Sequence, residues 1–322
     1  MSERLRVVEA VRETLRSELD RSDDVVVYGE DVGRAGGVFR ATQGLQDQFP
    51  DRVYDAPVGE AGIIGMGIGL AATGMRPVPE IQFQSFLYQG FHQLAQNVSR
   101  MRSRSRGTIT CPMTIRMPYG GGIHALELHS ESFEAGFSHI PGLKVVIPSS
   151  PAETAGLLRS SIRSPDPVVF MEPTRLYRSF REEVPDDHEI PLGEGRVVDD
   201  GEDLTVVAWG SMLQKTIEAV DDFEASIEVV DPRTLYPLDT ETITDSVRKT
   251  GRCVIVHEAP KTAGMAGEIT SRINEEAFYS LEAPVERVTG YDVPMPMFAR
   301  EDDYVPDVDR IAAGIRRTLD AD

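Results

Sequence analysis

The order of apolar and polar positions divides the chain into short segments of two kinds. Leu5, Val8, Val11, Leu15 and Leu19 recur at helical spacing and predict a helix near the N-terminus. The run 24–28 is nearly all apolar, ends at Gly29 and predicts a buried strand. Further strands are predicted at 52–55, 77–82, 113–117, 143–147 and 167–171. Helices are predicted between them at 60–74, 85–103, 131–138 and 151–163. Such alternation predicts an open α/β sheet, and ligands of such sheets sit beyond the carboxyl ends of the strands. Gly29, Glu30, Asp31 and the 55–60 turn fall at such ends. After Arg181 the pattern breaks, because 182–195 holds two prolines, many charges and no apolar period. A second alternation follows, with strands predicted at 204–208, 227–231, 253–257 and 284–289 and helices at 211–225, 240–250, 264–279 and 307–319. The expected fold class is therefore α/β, as two open α/β domains: a larger one over 1–183, a linker at 184–196 and a smaller one over 197–322.

Composition narrows the partners. The 322 residues include 53 acidic and 33 basic side chains, a formal charge of −20, and 40% are hydrophobic. That length exceeds what one core usually fills, and the apolar fraction supports buried cores. A strongly acidic chain is a poor match for the phosphates of nucleic acids or for anionic membranes. The run Ala61 to Met75 is shorter than the ~20 residues that span a bilayer. The start is charged and amphipathic, unlike a signal peptide, so a cytoplasmic location is expected. Cys111 and Cys253 lie far apart without metal-ligand spacing, and are expected to be buried thiols in a reducing compartment.

Four segments carry candidate chemistry. Gly67-Ile-Gly69-Leu-Ala-Ala72 fits a dinucleotide fingerprint, but a turn rather than a strand leads into it. The expectation is instead that Gly62, Gly65, Gly69 and Ala72 let a buried helix pack closely. His124, Glu127 and His129 follow the order H-x-x-E-x-H in a Gly-rich stretch, which no helix face unites, so one reactive His is favoured over a metal, with two surface His in a flexible loop as the open alternative. Glu60, after a turn and before an apolar helix, is either an ordinary helix-start carboxylate or a carboxyl sharing a proton with a bound heterocycle. Phe83, Phe86, Tyr88 and Phe91 form an aromatic cluster, usually core, in which one ring could stack on a flat ligand.

In order along nearly the whole chain, these segments resemble the beta subunit of the decarboxylating component of 2-oxo acid dehydrogenase complexes, a thiamine-diphosphate-dependent member of the transketolase-like superfamily. The matching stretches are Gly29-Glu-Asp-Val-Gly33 with Gly36-Gly-Val-Phe39, Asp55-Ala-Pro-Val-Gly-Glu60-Ala-Gly62, and Arg76-Pro-Val-Pro-Glu80-Ile-Gln-Phe83. Next come His129-Ser130, Pro141-Gly-Leu-Lys-Val145, Pro167-Val-Val-Phe170, Glu172-Pro173 and Arg175-Leu-Tyr177. The later half adds Asp231-Pro-Arg-Thr-Leu235, Pro237-Leu-Asp239, His257-Glu258-Ala259, Arg287-Val-Thr-Gly290 and Asp292-Val-Pro-Met-Pro296.

The resemblance implies a transketolase-like pyrimidine-binding domain followed by a transketolase C-terminal domain. It implies that Glu60 contacts N1′ of the cofactor's aminopyrimidine, that Phe86 stacks on that ring with Gln89 beside it, and that His129 helps hand an acyl group to a lipoyl arm. No Gly-Asp-Gly motif is present in the chain. The family pattern therefore implies that an alpha subunit holds Mg²⁺ and the diphosphate, in an α2β2 heterotetramer. A lipoyl acyltransferase core is expected to dock through its peripheral-subunit-binding domain, and K⁺ to bind carbonyls of Ser161, Ser164 and Asp166. The substrate is expected to be pyruvate or a branched-chain 2-oxo acid. An acetoin-type beta subunit, a non-catalytic partner of the alpha chain and a dinucleotide oxidoreductase are the competing readings. Two departures stand out: His92-Gln93 where the family usually has Asp-Gln, and Glu131 where it usually has Gln. Glu131 is expected to raise the pKa of His129 if the two are close. With only four lysines among 33 basic residues, the acidity points to a halophilic protein in a salt-rich cytoplasm. The acidic ending Asp320-Ala-Asp322 suits a basic partner.

Overall fold

A computed structural model describes residues 3–321, so Asp322 of that acidic ending lies outside the described residues. Two parallel-cored sheets carry the fold. The first has seven strands in the order Thr234–Tyr236, Lys144–Val146, Val168–Pro173, Thr114–Tyr119, Arg76–Glu80, Val25–Gly29, Val53–Asp55. All neighbours in it run parallel except the edge strand Thr234–Tyr236. The second has five, in the order Glu286–Gly290, Cys253–Pro260, Leu204–Ala208, Ile227–Asp231, Arg196–Asp199, antiparallel only at the last pair. Both are covered on two faces, which is why their central strands are buried at every position rather than at alternate ones. Cys111 and Cys253 are buried free thiols, and burial pushes both up to about 12. Among the described residues no helix is long and apolar enough to cross a membrane.

Helices fall close to their expected places where the sequence supplies stops and caps. Asp239 accepts the Thr242 N–H at 3.1 Å ahead of helix Thr240–Thr250, and Gly251 ends that helix in a left-handed conformation. The helix expected over 85–103 is not continuous. It is a 3-10 stretch Gln84–Gly90, a short helix Phe91–Gln96, a second 3-10 turn and the helix Met101–Arg104. The tight first stretch crosses the start of helix Glu60–Ala72, where a Cβ on Gly90 would lie 3.1 Å from the Glu60 carbonyl.

Three other expectations change. Gly62 and Gly69 face open space, and Gly67 is the close contact: a Cβ there would meet Tyr28 Oη and a Met113 methyl at 2.6 Å. Helix Glu60–Ala72 is therefore apolar all round, yet Gly62, Met66, Gly69 and Ala72 are exposed. The stretch expected as a plain linker is fastened down. Glu182–Val184 pairs with Glu3–Leu5, Ile190 is buried against helix Pro151–Arg163, and Gly195 N–H donates to Asp239 at 2.9 Å. Finally, the chain after residue 231 sends Thr234–Tyr236 back onto the first sheet, a return that three residues cannot announce by periodicity.

Candidate active site

Strands Val25–Gly29 and Val53–Asp55 run parallel, and helix Glu60–Ala72 begins just beyond them. Glu30, Asp31, Asp55 and Glu60 therefore collect at the carboxyl ends of the strands. Asp55 fixes the loop after Gly29 by accepting the N–H groups of Gly33 at 2.7 Å and Arg34 at 3.2 Å. Glu30 accepts the Gly59 N–H at 3.2 Å. Burial lifts the Glu30 carboxyl above the usual carboxylate range, the Gly59 N–H opposes this, and the charges of Glu60 and Asp31 add to it.

Glu60 is only 4% exposed, and its Oε2 is buried without a hydrogen-bond partner. A bare, buried carboxyl oxygen is costly unless a ligand donor meets it. The adjoining Gln84–Gly90 turn rides on the Glu60 backbone and carries Phe86, which is partly buried. Phe86 belongs to a ring cluster: Phe39–Phe83 and Phe83–Phe86 are each 5.6 Å apart between centroids, Phe83–His129 4.4 Å and Phe86–His129 5.1 Å. Phe86 and His129 thus meet on a turn packed against the Glu60 backbone, and Gln89 is exposed on the same turn. The residue types fit a flat heteroaromatic group: an orphaned carboxyl oxygen for a ring N–H, and an aromatic ring on the turn packed against the same helix start.

His124, Glu127 and His129 do not converge on a metal. His124 Nδ1 contacts the Phe298 carbonyl at 2.9 Å, and His129 Nδ1 contacts the Glu127 carbonyl, not its carboxylate, at 2.8 Å. The Glu131 carboxylate accepts from Tyr88 Oη at 3.0 Å, tying the His129 loop to the 84–90 turn, where the sequence pointed to coupling with His129 itself. His92 is exposed.

Ser161, Ser164 and Asp166 lie at the entry to strand Val168–Pro173, the end opposite the candidate site. Their carbonyls already accept donors: from the Ser164 N–H at 3.1 Å, from Arg76 Nη1 at 3.3 Å and from the Ser164 hydroxyl at 2.9 Å. A cleft of 1790 Å³ runs between the two halves past Phe133, Leu235, Pro260, Met265 and Val293. It reaches Tyr88 and Glu131 but not Glu60, Phe86 or His129. Beneath the site, Arg116 is buried between two carboxylates, with Nη1 to Glu80 at 2.9 Å and Nε to Glu172 at 2.7 Å, and Tyr177 Oη also donates to Glu172 at 2.6 Å.

Comparison with known proteins decides the family. Residues 3–179 match "Transketolase, pyrimidine binding domain" and residues 193–311 match "Transketolase, C-terminal domain". The chain is 46% identical over 320 residues to "Pyruvate dehydrogenase E1 component subunit beta" of Acholeplasma laidlawii, with 98% of each chain covered. It belongs to that family of beta subunits, within the transketolase-like superfamily. The protein of the same name from Staphylococcus epidermidis is 47% identical over 319 residues, again with 98% of each chain covered. A solved structure titled "Split gene transketolase, inactive beta4 tetramer" shares the fold, with a TM-score of 0.81, 24% identity, and 98% of this chain and 99% of that one covered.

The sequence did not reveal Tyr88 as the partner of Glu131, nor the contact that Glu301 makes with Ser130 at 2.8 Å. Partners 43 and 171 residues apart leave no local signal.

Proposed function

We propose that this chain is the catalytic beta subunit of a 2-oxo acid dehydrogenase. It takes part in oxidative decarboxylation of a 2-oxo acid, with acyl transfer to a lipoyl group on an acyltransferase core. Residues 1–183 and 197–322 act as its two domains in the cytoplasm. The observation that carries the reading is the buried Glu60 carboxyl, whose Oε2 lacks a partner, in a residue whose backbone packs on the Phe86 turn.

Thiamine diphosphate, when bound, supplies a carbon nucleophile for the substrate ketone and then accepts the electron pair released with carbon dioxide. Glu60 would share a proton at the aminopyrimidine N1′, which is positioned acid–base catalysis. Phe86 would hold that ring by stacking, and Gln89 would line its edge. His129, backed by Phe83 and oriented by the Glu127 carbonyl, would hold or donate a proton where the acyl group leaves. The chain offers the pyrimidine half of a site, so an alpha subunit would supply Mg²⁺ and diphosphate ligands in an α2β2 assembly. Exposed Val58, Leu126 and Leu128 beside the site, and the open apolar face of helix Glu60–Ala72, support a partner chain there.

Pyruvate is the first substrate to test, since relatives named for it are 46–47% identical. Co-expression with the adjacent alpha chain, followed by assay on pyruvate, branched-chain 2-oxo acids and acetoin, separates the substrate readings. Tight thiamine diphosphate binding and full decarboxylation by this chain alone would overturn the shared site.

A further inference from the structure

The loop that carries His129 follows strand Thr114–Tyr119 and closes on itself, with the Gly120 N–H donating to the Glu131 carbonyl at 3.1 Å. Within it, His124 (φ 50°) and Leu128 (φ 69°) hold left-handed backbone that side chains disfavour. Such a conformation persists only where the surroundings over-determine it. Here part of the surroundings belongs to the other half of the chain. Glu301 is 1% exposed and points both carboxylate oxygens into the loop. Oε1 accepts the N–H groups of Gly122 and His124, and Oε2 accepts the Ser130 hydroxyl at 2.8 Å. Phe298 adds its carbonyl to His124 Nδ1 at 2.9 Å and its N–H to the Ala125 carbonyl at 3.4 Å. Deeper in, Glu258 accepts the Gly121 N–H at 2.8 Å.

One buried carboxylate therefore grips the loop near its start and again at Ser130, the residue next to His129. His124, Glu301 and Asp302 come close enough to suggest a cation site. However, both Glu301 oxygens are already engaged by three donors, and Arg175 lies 3.4 Å from Asp302. The trio is a clamp.

We propose that Glu301 is a positioning residue for His129, so that the C-terminal half sets the geometry of acyl transfer without touching the reacting atoms. The catalytic consequence rests on the role proposed above for His129; the ordering of the loop does not.

The test uses the chain assembled with its alpha partner. Glu301→Ala should slow reduction of a free lipoyl domain at least tenfold. Decarboxylation coupled to an artificial acceptor such as ferricyanide should stay within about twofold, because it bypasses His129. Hydrogen exchange of amides 122–130 should quicken at least tenfold, with the strands unchanged. Glu301→Gln should restore most of both, because its carbonyl can still accept the backbone N–H groups and its amide can donate to Ser130. If Glu301→Ala fails to fold, Ser130→Ala serves, with a smaller loss of the same kind. Unchanged exchange in the loop, or equal loss of both half-reactions, overturns the proposal. His129→Ala is the control. If it spares lipoyl reduction, the role of His129 falls, and the exchange result alone decides for or against Glu301.

Discussion

A carboxyl buried with one oxygen bare, as at Glu60, is held at a cost that packing alone does not repay. Glutamine has nearly the same shape and cannot share a proton in the same way. Glu60→Gln, assembled with the alpha chain, is therefore expected to lower kcat for decarboxylation by about 10²–10⁴-fold, the usual contribution of a positioned acid–base group. Its melting temperature should be unchanged or higher, since a neutral amide is easier to bury. Calorimetry run beside the rate measurement separates this from misfolding, and a variant that keeps its full rate would return Glu60 to the status of a helix-start carboxylate. The residue type and the turn before it were legible in the sequence. What sequence could not show is that Glu30 reaches Gly59, beside Glu60, or that Glu131 turns to Tyr88, because both contacts cross between elements.

At the scale of elements, Arg116 ties three neighbouring strands together through Glu80 and Glu172. Burial lifts the Glu80 carboxyl, and Arg116 pulls the other way. Arg116→Met leaves two buried carboxylates without their cation, and should destabilise the protein by about 3–5 kcal/mol. The denaturant midpoint should fall with little change in slope; a loss below ~1 kcal/mol would show that the strands do not depend on the ion network. Helix Glu134–Ser138 yields a second prediction. Burial, reinforced by the nearby Glu258 charge, pushes the Glu134 carboxyl up to about 7. Between its ordinary pKa of 4.5 and about 7 the folded chain keeps a proton that the unfolded chain has lost, so stability falls as pH rises through that window and then levels. Glu134→Gln should flatten this slope and be the more stable protein above pH 7; parallel urea midpoints at pH 5, 6 and 7.5 check it. The main strands and capped helices were legible because apolar runs and caps are local. The broken 84–104 segment was not, since its winding follows from its passage over Glu60, nor were the short edge strands Arg196–Asp199 and Thr234–Tyr236, held by pairing rather than pattern.

For the whole molecule the acidity is uneven. Part of the charge expected in the linker is already matched: Asp187 and Glu189 meet Arg163, and Glu182 accepts the Ala152 N–H. Elsewhere Asp199, Asp200, Glu202 and Asp203, and then Asp221, Asp222 and Glu224, stand exposed in runs without alternating cations. Like charges so placed repel one another in the folded state more than in an expanded one. With a net charge of −20 and few lysines, this repulsion should dominate the salt response. Raising ionic strength shrinks the screening length from about 10 Å at 0.1 M to about 3 Å at 1 M, which silences neighbours along a run before it weakens contact pairs such as Arg163–Glu18 at 2.6 Å. The melting temperature is therefore expected to climb by on the order of 5 °C between 0.1 M and 1–2 M KCl, equivalent to roughly 3 kcal/mol for a chain of this size. Replacing Asp199, Asp200 and Asp203 with Asn should remove part of that gain by stabilising the low-salt state. A flat or falling melting temperature over the same range would mean that surface repulsion is already balanced by ion pairing, and the halophilic reading of the composition would go with it.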